Sequence, residues 1–180
     1  LSAAAQQVLA ANALGSLPAV RFTADNLGRQ TLPSAASEFT MIAVIKPENT
    51  GAYHNVLDGA GGARPMLWMD GAANYEFNFN TGAVAARGGA YDVLVAVKRN
   101  AGSGISRLHL NGPVLAASGP NNFTIPASAD YDFFSRNGGQ SFSGDVAELI
   151  VYSTALTQPE IARVGRYLQQ KYSLPVTFPP

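Results

Sequence analysis

The chain has 180 residues, with 12 basic and 12 acidic side chains, so its formal net charge is zero and only 13% of its residues are charged. Because it has no net positive charge and no basic tract, it lacks the long-range field that concentrates proteins on nucleic acids and anionic membranes. The absence of cysteine excludes disulfides, zinc–thiolate sites, iron–sulfur clusters and cysteine nucleophiles.

The N-terminal part of the chain differs in composition from the rest. Residues 1–17 are rich in alanine and glutamine, and we predict an N-terminal tether or short helix there, followed by one domain over residues 18–180. Residues 19–23 are short and strand-like. Residues 39–46 form an apolar run of strand length that ends at Pro47, which is typical of a strand buried on both faces.

The middle of the chain alternates in the manner of half-exposed strands. From residue 75 onward, aromatic and polar side chains fall on opposite faces of the predicted strand: Tyr75, Phe77 and Phe79 on one, and Glu76, Asn78 and Asn80 on the other. Another apolar strand is predicted over residues 91–99. Residues 105–110 lead into Asn111-Gly112, a pair that tolerates positive φ and therefore favours a β-hairpin.

The C-terminal part contains the one clear helix signal. Thr157 suits the N-cap, Pro159 the first turn and Glu160 the third helical position, as in a capping box. One apolar face follows at helical spacing, made of Ile161, Val164, Leu168 and Tyr172. The helix should end near Ser173, before Pro175.

Residues 144–161 (GDVAELIVYSTALTQPEI) resemble the closing signature of the LamG-like, concanavalin A-like jelly rolls. Residues 18–22, 39–47 and 108–112 occur in the order that this family uses, so the resemblance covers residues 18–174. It implies an all-β, two-sheet antiparallel jelly-roll sandwich with one C-terminal α-helix. It also implies a ligand surface on the concave face or the rim loops, but no particular reaction.

The closing segment also makes a prediction about strand geometry. Val146, Leu149 and Val151 cannot share one face of a regular strand, so we expect a β-bulge or burial on both faces. Asp145 and Glu148 are three residues apart, which places them on opposite faces of a regular strand. We expect both carboxylates to have structural roles.

The acidic residues do not form the cluster that hydrolases of this family typically carry on one strand, Glu-x-Asp-x-Glu or a close variant. Asp130 and Asp132 are the nearest alternative, because they share one face of a predicted strand. We interpret them as a solvated strand edge, with calcium ligands or acid/base groups as the alternatives. Calcium is the one cofactor left open, and otherwise none is expected.

The two histidines do not indicate nucleophilic catalysis, because no Gly-x-Ser-x-Gly elbow is present. His109 alternates with leucines and is expected on a strand surface. His54 is expected in a loop, where contact with a ligand is open. We therefore predict a chain without catalytic residues.

Sugar-binding modules combine planar aromatic rings with amides and carboxylates that accept hydrogen bonds from hydroxyls. Glu76, Asn78 and Asn80 share one face and could bind a sugar, or they could be the solvent-facing side of an ordinary strand. Trp68 could stack on a sugar, or it could belong to the core. The candidate ligand-binding residues are Tyr53, His54, Trp68, Glu76, Asn78, Asn80, Arg136 and Asn137, and the candidate metal ligands are Asp130 and Asp132.

The functional hypothesis is a non-catalytic recognition or attachment module, which binds glycans and is displayed on a larger extracellular or virion assembly. The alternatives are a structural decoration or spike protein of a bacteriophage-like particle, and a glycoside hydrolase. Expected partners are a glycan or neighbouring protein subunits, with homo-oligomerisation left open. Nucleic acid is not expected, nor is membrane insertion, because no run approaches about 18 consecutive apolar residues.

Overall fold

The computed structural model describes residues 7–25, 28–31, 38–48, 51–59, 67–77, 84–86, 89–99, 105–112, 115–120, 130–134 and 140–178. In this part of the chain, thirteen strands form two antiparallel sheets, and one helix follows the last strand. Among the described residues, no helix has the length and apolar character needed to cross a membrane.

The larger sheet has seven strands, with the last strand of the chain inserted between two early ones. In spatial order it contains β1 (Val8–Leu14), β2 (Leu17–Asp25), β13 (Phe142–Tyr152), β4 (Phe39–Pro47), β9 (Asp92–Lys98), β10 (Ile105–Leu110) and β11 (Leu115–Pro120). The predicted hairpin is confirmed, because β10 and β11 pair antiparallel and Asn111 has a φ of 59°.

The smaller sheet has six strands. In spatial order it contains β3 (Gly28–Thr31), β12 (Asp130–Phe133), β5 (His54–Gly59), β6 (Leu67–Met69), β7 (Asn74–Phe77) and β8 (Val84–Ala85). The two sheets stack on each other. The predicted all-β antiparallel jelly-roll sandwich with one C-terminal helix is therefore confirmed.

The core between the sheets follows from strand alternation. On β4, Met41, Ala43 and Ile45 point between the sheets, whereas Ile42 and Val44 point to the opposite face. All five side chains are buried, which confirms that this strand is buried on both faces. The facing sheet contributes Leu57, Leu67, Met69, Tyr75, Phe77, Tyr131 and Phe133.

Helix α1 (Gln158–Tyr172) begins and ends where the sequence predicts. The Thr157 backbone N–H donates to Glu160 Oε2 at 2.7 Å, and the Ile161 N–H donates to the Thr157 carbonyl at 2.9 Å. Ser173 adopts the left-handed conformation at the C-terminal cap, with a φ of 49°. The Glu160 carboxylate thus caps the N–H of Thr157, as the capping-box pattern predicts.

The helix and the tail after it cover the outer face of the seven-stranded sheet. This second core joins sheet residues to helix and tail residues: Ile42, Val44, Val93, Val95 and Val97 below, and Ile161, Leu168, Tyr172, Leu174, Val176 and Phe178 above. Because apolar side chains fill this contact, the outer face of this sheet is closed under α1 and the tail.

Residues 8–14, placed by the sequence in an N-terminal tether or short helix, form strand β1 instead. Val8 pairs with Arg21, and Ala10 pairs with Ala19. An isolated helix shorter than about 12–15 residues is marginal in water, even when rich in alanine. The open edge of β2 offers backbone partners to this segment, and that tertiary pairing overrides its local propensity.

Strand β13 contains the predicted bulge, and the bulge corrects another expectation. Val146 pairs with Ile45 and Glu148 with Val44, so Ala147 is the extra residue. The insertion turns Asp145 and Glu148 to the same face rather than to opposite faces, because it breaks the period of two. Both carboxylates lie on the side of the sheet that α1 covers.

Candidate functional site

The outer face of the six-stranded sheet is polar, unlike the closed face of the other sheet. Trp68 is the strand partner of both Asn55 and Glu76, and Asp132 is the partner of Asp58. The residues that alternate with these five belong to the core between the sheets. The register therefore places one amide, one tryptophan and three carboxylates on one face of the sheet.

Glu76 differs from the other members of this face. It is half-buried, and in the described part of the chain its carboxylate makes no hydrogen bond and no ion pair. Burial raises the pKa of Glu76, and the negative charge of Asp70 raises it further. Beside Glu76, Trp68 is only 5% exposed. The register places Glu76 directly opposite Trp68 on the neighbouring strand.

Asp132 corrects the expectation of a solvated strand edge. Strand β12 lies between β3 and β5, so Asp132 is inside the sheet rather than at its edge. Asp132 is buried, as is its partner Asp58. Among the described residues, no three His, Cys, Asp or Glu side chains gather as a metal site would require. The side chain of Asp130 lies outside the described residues, so its metal role stays a prediction.

His54 lies on a strand and faces the core, which corrects its placement in a loop. It is the first residue of β5 and pairs with Met69. Its Nδ1 accepts a hydrogen bond from the Ser143 N–H at 3.2 Å, and its ring lies 6.1 Å from that of Phe142. Burial lowers the pKa of His54. These contacts indicate a structural histidine.

Tyr53 provides an exposed aromatic ring at the rim of the same sheet. Its side chain is 55% exposed, and it lies two residues before Asn55. A Cβ added to Gly71 would come within 2.9 Å of the Gly51 carbonyl, so the segment before Tyr53 packs closely on the β6–β7 turn. Tyr53 is therefore near the end of the sheet that carries the Trp68–Glu76 pair.

The β6–β7 turn is held by the carboxylate of Asp70. Asp70 Oδ1 accepts hydrogen bonds from the Ala72 N–H at 2.9 Å and the Asn74 N–H at 2.8 Å. These bonds lower the pKa of Asp70, although burial opposes them. Asp70 is thus an ionised structural group whose charge acts on the neighbouring face.

Asn55 and Asp58 belong to this face, but sequence reasoning did not identify them. They are three residues apart, which would separate them in a regular strand. The register shifts between Asn55 and Leu57, and this bulge returns both to one face. Asn55 Nδ2 donates to Gln140 Oε1 at 3.1 Å. The four remaining candidates, Asn78, Asn80, Arg136 and Asn137, lie outside the described residues.

His109 is also buried, although alternation predicts a surface position. It lies on β10 opposite Val95, on the face that α1 covers. With Arg107 and Gln158 it lines a cavity of about 230 Å³ near the start of the helix. The covering helix, which is distant in sequence, explains why the strand pattern alone misplaced this residue.

Several solved structures share this fold. A native heptameric SAP-like pentraxin from Limulus polyphemus has a TM-score of 0.57 at 16% identity, over 78% of this chain and 76% of that one. Domain 4 of AbnA, a GH43 extracellular arabinanase from Geobacillus stearothermophilus in complex with arabinotriose, has a TM-score of 0.62 at 18% identity, over 89% and 81%. The CBM40 of Ruminococcus gnavus IT-sialidase, bound to alpha2,3 sialyllactose, has a TM-score of 0.56 at 15% identity, over 79% and 99%.

The family assignment comes from the sequence itself. No curated protein matches the chain. Residues 22–162 match the family described as the concanavalin A-like lectin/glucanases superfamily. This range begins within β2 and ends within α1, so it takes in nearly all of the sandwich. The chain therefore belongs to the concanavalin A-like lectin/glucanases superfamily.

Proposed function

We propose that this chain is a non-catalytic glycan-binding module that uses the outer face and rim of its six-stranded sheet. The observation that carries the proposal is the difference between the two outer faces. One is closed by apolar contacts with α1 and the tail, whereas the other gathers carboxylates, an amide and a tryptophan. Polar groups converging beside aromatic rings are typical of ligand sites.

The chemistry of these groups suits a sugar. Pyranose faces pack on aromatic rings, and Tyr53 offers an exposed ring at the rim. Sugar hydroxyls donate hydrogen bonds to carboxylates, and Glu76 has acceptor oxygens that no described residue occupies. Two of the similar structures were solved with oligosaccharides, which supports a glycan as the ligand class.

The arrangement of carboxylates supports a non-catalytic role. A glycosidase needs two carboxyl groups that flank and contact the scissile bond, about 5–5.5 Å apart in retaining enzymes. Asp58 and Asp132 are the adjacent pair on this face, but both are buried. Asp145 and Glu148 form ion pairs on the opposite side of the molecule, with Arg21, Lys46 and Lys171. A hydrolase is therefore the weaker alternative.

The test compares two tyrosines that are equally exposed but lie on different sides of the sandwich. Tyr53 is 55% exposed at the proposed rim, and Tyr167 is 52% exposed on α1. Tyr53→Ala should weaken binding to oligosaccharides about tenfold, because stacking on one ring contributes about 1.4 kcal/mol. Tyr167→Ala should leave binding unchanged. Calorimetric titration with the best ligand from a glycan array gives both affinities.

Two results would contradict the proposal. One is the absence of binding to any arrayed glycan by the unaltered chain at millimolar concentration. The other is an equal loss of affinity in Tyr53→Ala and Tyr167→Ala, because it would place the ligand away from the six-stranded sheet.

A second candidate function is a structural role in a larger assembly, such as decoration of an extracellular surface or a bacteriophage-like virion. The observation that favours it is strand β1, an edge strand on which Val8 is 60% and Leu9 is 67% exposed. Exposed apolar edges are sites of strand pairing between chains. The oligomeric state of the isolated chain in solution tests this role, and display on such an assembly is also compatible with glycan binding.

A further inference from the structure

Among the described carboxylates on the proposed glycan-binding face, Glu76 is the one that is partly exposed, and the charge of Asp70 acts on it from the rim. Asp58 and Asp132 lie on the same face, but both are buried. Among the side chains that the structure describes, no lysine, arginine or histidine lies on this face. Arg29 on β3 is the strand partner of Asp132, so the register places a basic residue at that end of the sheet.

Glu76 is too far from that end to be neutralised by it. Strands β3 and β7 are separated by four strand spacings, or about 19 Å. Charges near the surface are screened over about 8 Å at physiological ionic strength. Among the described residues, no cation therefore neutralises the negative charge that Glu76 presents to a ligand.

Two carboxylates on the other side of the molecule differ from Glu76, because each is paired with a cation. Asp145 Oδ1 and Oδ2 accept hydrogen bonds from Arg21 at 2.7 and 2.9 Å, and Lys46 Nζ is 3.1 Å from Oδ2. Glu148 Oε2 is 2.6 Å from Lys171 Nζ. Burial opposes ionisation of Asp145 and Glu148, but these cations hold the pKa of both below its usual value. No described residue places a cation beside Glu76, and burial together with the charge of Asp70 raises its pKa.

A free carboxylate next to an aromatic ring selects ligands by charge. It accepts hydrogen bonds from the hydroxyls of a neutral sugar, and it attracts the ammonium group of an amino sugar. It repels a carboxylate or sulfate at the same position, and this repulsion is stronger near a half-buried group than in bulk water. Specificity of this kind is achieved by a repulsive element in the site.

We infer that Glu76 is a specificity-determining residue, which restricts the site to neutral and amino sugars and excludes sialylated and sulfated glycans. This inference rests on the proposed function. In ligand preference, this chain would then differ from the Ruminococcus gnavus CBM40, which shares the fold and was solved with alpha2,3 sialyllactose.

The experiment uses a glycan array in which each neutral oligosaccharide is matched by its sialylated and its sulfated form. The unaltered chain should bind neutral members at least tenfold more tightly than their acidic forms. Glu76→Gln should weaken neutral binding, because one acceptor oxygen is lost, and should strengthen sialylated binding, because the repulsion is gone. The ratio of the two affinities should shift at least tenfold.

The control is Glu160→Gln, which removes the same charge from an exposed position at the start of α1, on the other side of the sandwich. Glutamine still serves in a capping box, so the helix should persist and both affinities should stay unchanged. Urea unfolding of both variants verifies that each remains folded.

The outcomes separate the two proposals. Binding to no glycan overturns the proposed function and, with it, the role of Glu76. Equal binding of neutral and sialylated forms by the unaltered chain, or an unchanged ratio in Glu76→Gln, overturns the specificity role alone. Complete loss of binding in a folded Glu76→Gln also overturns it, because Glu76 would then be a contact that every ligand requires.

Discussion

At the scale of single residues, the surroundings of His54 favour its neutral form. Its Nδ1 accepts the hydrogen bond of the Ser143 N–H, so a proton on that nitrogen would break the bond. The ring is buried against Phe142. Burial lowers the pKa, and this effect outweighs the contrary effects of the Ser141 carbonyl and the Glu48 charge.

The lowered pKa of His54 predicts a loss of stability in mild acid. The unfolded chain, in which histidine has its ordinary pKa of about 6.5, binds the proton more tightly than the folded chain does. The stabilising contribution is therefore complete above about pH 6.5 and is lost as the pH falls towards the folded pKa. The free energy of unfolding, measured in urea, should fall between pH 7 and pH 5.

Two glutamine variants identify the residue responsible. His54→Gln should show a smaller fall in the free energy of unfolding over this pH range. In His109→Gln, the part of the fall that His54 causes should remain. An identical pH dependence in His54→Gln and the unaltered chain would show that another group titrates.

At the scale of elements, the contact between α1 and the tail depends on one glycine. Gly165 is buried on the helix face that meets the tail, and a Cβ placed there would lie 2.1 Å from Phe178 Cδ1. The Phe178 ring occupies the space that any side chain at position 165 would need. The tail also buries Leu174 and Val176, so this contact helps to close the outer face of the seven-stranded sheet.

Gly165→Ala should destabilise the protein, although alanine favours a helix by about 1 kcal/mol over glycine. Displacing the Phe178 ring should cost about 1–3 kcal/mol, as overpacking does elsewhere. In a Phe178→Ala background, the same substitution should be neutral or stabilising, because the clash is gone and the helix propensity remains. Urea unfolding of the unaltered chain, the two single variants and the double variant gives the coupling energy between positions 165 and 178. A stabilising effect of Gly165→Ala in the unaltered chain would refute the packing argument.

The elements also show which features local sequence determines. The cap at Thr157, the two-sided burial of β4 and the bulge in β13 depend on residues close together in the chain, and each was predicted. Strand β1 forms a hairpin with the following strand β2, which the alanine-rich composition of residues 1–17 concealed, whereas the inward direction of His54 depends on contacts with strands distant in sequence. Register is non-local, and one inserted residue reverses every side chain beyond it.

At the scale of the whole molecule, the candidate site lies on the six-stranded sheet, because apolar contacts with α1 and the tail close the outer face of the other sheet. The sequence indicated Trp68 by its aromatic ring and Glu76 by alternation, and the pairing of β6 with β7 places the two side by side. The same register adds Asn55 and Asp58, which a bulge had concealed from the sequence pattern. The sequence thus supplied candidate residues, but their arrangement on one face required the fold.

The edges of the seven-stranded sheet are a second property of the whole molecule. Edge strands of monomeric proteins usually carry charges, prolines or covering segments that prevent pairing with another chain. The seven residues of β1, VLAANAL, contain no charged residue and no proline. Val8 and Leu9 are both mostly exposed. Two copies of β1 can pair antiparallel about a twofold axis, because such an interface complements itself.

This edge predicts reversible self-association if the chain has a structural role in an assembly. Analytical ultracentrifugation from about 10 to 100 µM should detect a dimer that forms with increasing concentration. Val8→Lys and Leu9→Lys should each shift the chain to monomer, because a charge on an edge strand opposes pairing. Tyr167→Lys, which places the same charge on the exposed helix surface, should leave the dimer intact. A chain that stays monomeric throughout would remove the support that β1 gives to the structural role, while leaving the glycan-binding face untouched.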